Sequence, residues 1–259
     1  MIRLSDVKNV LVLGDSFTDI NYHNGEKEHH WLNFLRFYYG WNIINLSKSG
    51  SGINRVVYEL LNLTHDFDLC IIAHSQPVRL FHPEIWDINH GTAIHRKDLR
   101  RSIETDENVW NAAAGFYTHF WDGNLSNIKG IGLHQWIDQY IKEKYPDKFF
   151  IHFDCFHLMH PGETLIENKK LQCKRIYHKF SHGMTMYPAL MYMSLTDVHK
   201  PEDFSKDHRA GHIGFRDHLT VFNNIKHIID HDLYSNDNVY IYSKDFSESD
   251  IEIGIDSFE

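Results

Sequence analysis

A serine that directly follows a short apolar run is the first residue of this chain with a clear chemical use. Residues 10–13 are aliphatic, and Gly14-Asp15-Ser16 comes next. The run is too short to span a bilayer and is typical of a buried strand, so we expect Ser16 on a turn at the edge of a sheet. A hydroxyl presented there can serve as a nucleophile. The same residues also fit an ordinary turn in which Asp or Ser caps the next helix.

Alternating strand and helix patterns predict where other chemical groups emerge. Besides the strand before Gly14, strands are predicted at 41–46, 67–73 and 148–154, and helices at 31–39 (ending at Gly40), 53–63 and 213–230. A stretch from 109 to 145 is also expected to be helical, with interruptions near Gly123 and Gly130. This alternation of strands and helices predicts a parallel sheet with right-handed crossovers, whose ligands bind beyond the carboxyl ends of the strands.

Four separate segments would meet at that edge of the sheet. They contain Ser16, Gly50, Ser75-Gln76 and His212. A serine hydroxyl needs a base to take its proton, and an oxyanion needs donors already aimed at it. His212 is the candidate base, and Asp207 is the candidate acid that orients it. The backbone amides of Ser16 and Gly50 are candidate oxyanion donors.

With these residues in place, the chain resembles the SGNH/GDSL hydrolase family over most of residues 9–230. Gly14-Asp15-Ser16 matches the nucleophile motif, and residues 45–50 match the segment that carries the oxyanion glycine. His212 precedes a final helix, as the base of the family does. The resemblance implies a three-layer α/β/α sandwich with a flavodoxin-like parallel sheet. It also implies esterase, lipase or carbohydrate-deacetylase activity without a metal or other cofactor.

Two segments look like the phage-encoded branch of that family, in which Gly-Ser-x-x-Asn-Arg and Asp-x-Arg-x-x-His recur. Here they stand as residues 50–55 and 207–212.

The third family segment, Gly-x-Asn-Asp, is replaced by Ala73-His74-Ser75-Gln76. The family asparagine supplies a side-chain donor to the oxyanion, so this chain needs a substitute. Ser75 through its hydroxyl, Gln76 through its amide and Asn54 from the neighbouring loop are the candidates.

The acid also departs from the family pattern, since Asp-x-x-His would place an aspartate where Arg209 stands. We expect Asp207 to take this role through a longer loop, with Asp203 and Asp217 as alternatives. A Ser-His dyad without an acid is the other arrangement to consider.

Three further residues are assigned to the surroundings of the substrate. Asp15 is expected to organise the turn before the nucleophile rather than to act as an acid. Asn54 and Arg79 are candidate substrate-binding residues, and Arg79 could hold either an anionic substrate or a structural carboxylate.

The composition narrows the partners of this 259-residue chain. Its formal net charge is −9, without a dominant basic cluster, so no nucleic-acid partner is expected. No apolar stretch is long enough for a membrane span, and no secretion signal is apparent at the start. We therefore expect a cytoplasmic protein, in the host cytoplasm or a virion if it is phage-encoded. The three cysteines fit reduced thiols, and the sequence does not indicate an oligomeric state.

The predicted organisation is a single domain over residues 1–235 with an insertion at about 81–146. Such an insertion is either a lid or specificity wall, or a peripheral cover of the sheet. Residues 236–259 are expected to form an edge strand or a solvated acidic tail.

The leading functional hypothesis is a serine hydrolase that removes a short acyl group, with acetyl as the first candidate, from a carbohydrate or another polar small molecule. The alternative is an SGNH-fold binding or structural protein with a decayed site, such as a phage particle component. A third class is a metal-dependent phosphoesterase that uses histidines with Asp15 and Asp19. The chain has 21 histidines, but their spacing does not match a common metal motif.

Overall fold

The computed structural model describes residues 6–22, 30–75, 79–83, 87–88, 93, 107–155, 181–184 and 215–230. Its centre is a five-stranded sheet in which all neighbouring strands are parallel. The strand order is β2-β1-β3-β4-β5, which is the flavodoxin-like doubly wound order. The strands are β1 (Asn9–Leu13), β2 (Asn42–Asn45), β3 (Leu69–His74), β4 (Phe149–Asp154) and β5 (Ser181–Met184).

Helices cover both faces of the sheet. They are α1 (Trp31–Tyr39), α2 (Ile53–Leu61), α3 (Glu107–His119), α4 (Gly123–Lys144) and α5 (Phe215–Asp230). On one face, α1 and α5 pack on side chains such as Val12 and Ile71. On the other face, α2 and α4 pack on Leu13 and Ile72. Alternate residues of one strand therefore enter opposite cores, as expected for a sheet buried on both sides. The predicted three-layer α/β/α sandwich is confirmed.

Local signals explain the bounds of α1, which begins and ends where the sequence predicts. His30 caps its N-terminus, because the Nδ1 of the ring accepts a hydrogen bond from the N–H of Leu32 at 3.2 Å. Gly40 ends it with a φ of 65°, a left-handed conformation that glycine adopts at little cost.

Two sequence expectations about the longer elements need correction. Gly130 does not interrupt the helix, because α4 runs unbroken from Gly123 to Lys144. The break comes just before Gly123, where Asp122 caps α4 by accepting a hydrogen bond from the N–H of Leu125 at 2.9 Å. The strand β5 was not predicted. The expected edge strand or tail at 236–259 lies outside the described residues.

The stretch predicted as an insertion contains a helix of the main fold. The C-terminal half of α4 buries Ile137 and Ile141 in the core that it shares with α2, so it connects β3 to β4 as a regular crossover helix. The helix α3 instead packs Trp110 and Tyr117 in a separate small cluster with Ile88.

None of the described helices is both long enough and apolar enough to span a bilayer.

Gly14, at the end of β1, lies against β3 at a distance that no side chain could occupy. A Cβ atom built there would meet the Cβ of Ala73 at 2.8 Å and the Oγ1 of Thr18 at 2.5 Å. Contacts this short force strands or turns apart, so only glycine allows the turn at Ser16 to start this close to β3.

We expect Gly14→Ala to lower the free energy of unfolding by about 1–3 kcal/mol, because it overpacks the junction of β1 and β3. Urea denaturation of the purified variant measures this. The matched control is Gly132→Ala on α4, where an added Cβ meets no atom within 4 Å. That variant should be stabilised by up to about 1 kcal/mol through helix propensity. Equal stability of the two variants would contradict the packing argument.

Candidate active site

The turn that carries Ser16 is held by the backbone and side chain of Asp15. The carbonyl oxygen of Asp15 accepts hydrogen bonds from the N–H groups of Thr18 at 3.0 Å and Asp19 at 2.9 Å. The Oδ1 atom of its carboxylate accepts the N–H of Phe17 at 3.1 Å. These bonds enclose Ser16, which is 6% exposed at the carboxyl end of β1. Asp15 is therefore part of the framework of this turn.

The loop after β2, residues 46–52, is called the glycine loop below. Gly50 has a φ of 80°, in the left-handed region that favours glycine. On either side of it the backbone is anchored, since Ser49 N–H donates to the Oδ2 of Asp19 at 3.0 Å and Gly52 N–H donates to the Oδ2 of Asp87 at 2.7 Å. Ser51 N–H donates to a carbonyl within the loop. Gly50 N–H has no acceptor among the residues that the structure describes.

The turn at Ser16 and the glycine loop are bound to each other. Asn45, at the end of β2, donates from its side-chain amide to the carbonyl of Thr18 at 2.7 Å. Lys48 N–H donates to the carbonyl of Gly14 at 3.2 Å. Together with the bond from Ser49 to Asp19, these contacts set the position of the Gly50 amide relative to Ser16.

The groups around the carboxylate of Asp15 shift its pKa in opposite directions. Burial raises its pKa above the ordinary value, because the charged form loses its hydration. The nearby Arg79 guanidinium and the N–H of Phe17 oppose this rise, as do the side chains of Ser75 and Cys155 that face the carboxylate. The side chains at the ends of β1, β3 and β4 therefore share one electrostatic environment.

The three candidate residues after β2 and β3 have different neighbours. Arg79 donates from Nη1 to the carbonyl of Ser51 at 3.1 Å, so it binds the glycine loop. Its positive charge also opposes the rise in the pKa of Asp15. Asn54 donates from its side-chain amide to the carbonyl of Arg79 at 3.4 Å. Ser75 is 3% exposed and follows β3 directly.

Several predicted site residues lie outside the described part of the chain. They are the base His212, the acid Asp207, its alternative Asp203 and the donor Gln76. The side chain of Asp217, at the start of α5, is also not described. The roles assigned to these residues remain predictions.

The helix that follows His212 is nevertheless located beside the nucleophile turn. His218, in α5, lies with its ring centroid 4.9 Å from that of His30. The Nε2 of His30 is 3.1 Å from the carbonyl oxygen of Phe17, the residue after Ser16. Because Nδ1 of His30 accepts the N–H of Leu32, Nε2 is the donor in this bond. A chain of contacts thus connects the first turns of α5 to the turn at Ser16.

Two groups at this edge were not singled out from the sequence. Asp87 lies in a stretch without periodicity, so no local signal marks it as a partner of the glycine loop. The second group is a buried histidine cluster, in which His74 Nε2 lies 2.9 Å from His152 Nδ1 and the ring of His134 lies 4.2 Å from that of His74. Among the described residues, no group of His, Cys, Asp and Glu side chains is arranged to hold a metal ion.

Comparisons with known proteins found only remote structural likeness. No family model and no curated protein matches the chain. TesA aligns with a TM-score of 0.43 at 10% identity over 87% of this chain and 100% of its own. A Lactobacillus plantarum protein aligns with a TM-score of 0.49 at 10% identity over 90% and 100%. A family two carbohydrate esterase from Clostridium thermocellum, solved with cellohexaose, aligns with a TM-score of 0.44 at 12% identity over 86% and 64%. The fold class therefore rests on the strand order and layers of this chain itself.

Two variants of Asp15 separate the contribution of its acceptor oxygen from that of its negative charge. Asp15→Ala leaves the buried N–H of Phe17 without its acceptor and should cost about 1–3 kcal/mol in the free energy of unfolding. Asp15→Asn keeps an oxygen for that bond and should be closer to the wild type at neutral pH. Urea denaturation at several pH values measures both variants.

The pH dependence follows from the raised pKa of Asp15. Between the ordinary and the raised pKa, the native protein binds a proton that the unfolded chain does not. The stability of the wild type relative to Asp15→Asn should therefore increase as the pH falls through this interval. A difference that stays constant or decreases would show that the pKa of Asp15 is not raised.

Proposed function

We propose that the protein is a serine ester hydrolase that uses Ser16 to remove a short acyl group, with acetyl as the first candidate, from a carbohydrate or another polar substrate. The observation that carries the proposal is that the N–H of Gly50 lacks an acceptor among the described residues. Within residues 46–52 it is the N–H without an acceptor among the described residues, and its loop is bound to the turn of Ser16. Such a preorganised donor beside a nucleophile suits the tetrahedral oxyanion of acyl transfer.

In the proposed reaction, the Oγ of Ser16 attacks the ester carbonyl carbon while its proton passes to His212. The N–H groups of Ser16 and Gly50 stabilise the negative oxygen that forms. Collapse of this intermediate breaks the C–O bond, and the alcohol leaves with the proton from His212. Water, deprotonated by His212, then hydrolyses the acyl-serine and restores the hydroxyl.

The assignment of His212 as the base is supported by the packing of α5. Its first turns are connected to Phe17 through His218 and His30, so the chain enters α5 near the nucleophile turn. Asp207 is proposed to orient His212. A Ser-His dyad would perform the same chemistry without an orienting carboxylate.

A polar substrate of some size is supported by the position of the N-terminal half of α4. The ring of His134 in α4 lies 4.2 Å from that of His74, the last residue of β3. Tyr140, further along α4, lies near the carbonyl of Leu60 at the C-terminal end of α2. The turns of α4 before His134 therefore extend roughly 15 Å beyond the carboxyl edge of the sheet. These turns of α4 can form a wall of the site.

The tryptophans of α3 and of the turn that follows it have different environments. Trp110 is 2% exposed and belongs to the core of α3. Trp121 is 38% exposed and lies in the turn between α3 and α4, where an aromatic ring can offer apolar contact to one face of a sugar.

Labelling with a fluorophosphonate probe tests the proposed nucleophile directly. Intact-mass spectrometry should find one adduct on the wild type and none on Ser16→Ala or His212→Ala, because labelling requires an activated serine. Ser51→Ala is the matched control: it removes a buried hydroxyl of the glycine loop and should label like the wild type.

Hydrolysis of an aryl acetate by the same four proteins should follow the labelling, with and without a chelator. No adduct on the folded wild type would favour the binding protein with a decayed site. Hydrolysis of an aryl phosphate that survives Ser16→Ala but is lost on chelation would favour the metal-dependent phosphoesterase class.

A further inference from the structure

The chain after β3 folds back onto the glycine loop and delivers a buried carboxylate to it. Residues 79–83 and 87–88, called the β3 arm here, are joined by a short antiparallel bridge between Leu80 and Ile88. Asp87 lies within this arm and is 4% exposed. Its Oδ2 accepts the N–H of Gly52 at 2.7 Å, which is a short bond to a charged acceptor.

Arg55 holds the β3 arm in this position. It is 4% exposed and donates from Nη2 to the carbonyl of His82 at 2.6 Å and from Nη1 to that of Pro83 at 3.2 Å. Its Nη2 also lies 3.6 Å from the Oδ1 of Asp87. Since Arg55 belongs to α2, which starts just after Gly52, the arm, the glycine loop and α2 form one connected unit.

The glycine loop needs such an external anchor. Gly50-Ser51-Gly52 contains two residues without a Cβ, so its peptide planes can rotate more freely than those of other sequences. Gly52 is the N-cap of α2 but has no side chain with which to cap it. The carboxylates of Asp19 and Asp87 bind the N–H groups on the two sides of Gly50, and their bonds restrict the direction of the Gly50 amide.

We propose that Asp87 is a positioning residue for the hydrolytic reaction, which holds the Gly50 amide in the direction of the developing oxyanion by binding Gly52 N–H. The inference rests on the proposed function. Asp87 acts through the backbone of the glycine loop and does not itself contact the substrate. Burial raises the pKa of Asp87 above its ordinary value, while Gly52 N–H and Arg55 oppose this rise because they favour the charged form.

Two conservative variants distinguish positioning from simple charge pairing. Asp87→Asn keeps an acceptor oxygen at the same distance from the backbone but removes the charge beside Arg55. Asp87→Glu keeps the charge but moves the carboxylate by one methylene. If Asp87 positions the amide, kcat for an aryl acetate should stay within about 5-fold of the wild type in Asp87→Asn. It should fall by about 100-fold in Asp87→Glu, with KM little changed in both.

The opposite order, or kcat within 2-fold of the wild type for both variants, would overturn the proposal, because a role limited to pairing with Arg55 favours the glutamate. Ile141→Ala is the control for lost stability: this buried residue lies in the half of α4 away from the site, so the variant should lower Tm without lowering kcat. Asp87→Ala is expected to lose kcat at least as strongly as Asp87→Glu.

The labelling of Ser16 separates the two possible failures. If the wild type forms the Ser16 adduct and the variants do not show the expected order, the positioning role alone is wrong. If the wild type forms no adduct, the hydrolase itself is wrong and the positioning role is rejected with it.

Discussion

Buried backbone N–H groups need acceptors, and beyond the ends of β1 and β2 that need is met by the neighbouring loop. Lys48 N–H bonds to the carbonyl of Gly14, and Ser49 N–H bonds to the carboxylate of Asp19. Gly52 N–H bonds to Asp87, which comes from a third segment. The arrangement uses the amides on both sides of Gly50 and leaves that of Gly50 available within the described structure. Because the neighbouring amides bind acceptors within the protein, the N–H of Gly50 is the donor of this loop that remains for an oxyanion.

Much of this arrangement depends on charged side chains that bind the backbone. Asp15, Asp19 and Asp87 each accept at least one backbone N–H, while Arg55 and Arg79 each donate to backbone carbonyls. Hydrogen bonds of this kind are stronger than those between neutral groups, and they also compensate part of the cost of burying the charge. The raised pKa of Asp15 shows that the compensation is incomplete at the nucleophile turn. Several hydrogen bonds thus hold the loops of the site, while burial disfavours the ionised form of Asp15.

The N-terminal half of α4 extends past the carboxyl edge of the sheet. One half of α4 is an ordinary crossover helix with Ile137 in the core, and the other half rises past the end of β3. A single helix can therefore both complete the fold and form a wall above the site. The distinction between a lid and a peripheral cover, which the sequence leaves open, does not apply to this helix as a whole.

The sequence by itself determined the elements whose signals are local. The bounds of α1 follow from its apolar periodicity and from Gly40, and the end of β1 follows from the change to Gly14-Asp15-Ser16. Periodicity was less reliable for α4, since Gly130 lies inside the helix and Asp122 supplies the actual start. A glycine weakens a helix by only about 1 kcal/mol, which tertiary packing easily exceeds.

Only the tertiary structure decided which groups support the Gly50 amide. Asp87 is far from Gly52 in the sequence and lies in a stretch without periodicity, so its role depends on the fold of the β3 arm. The same holds for the approach of Ala73 to Gly14, which explains why glycine is needed there. Helix caps and apolar spacing are properties of adjacent residues and can be recognised in a sequence. Contacts between distant residues arise only when the sheet brings the ends of its strands together.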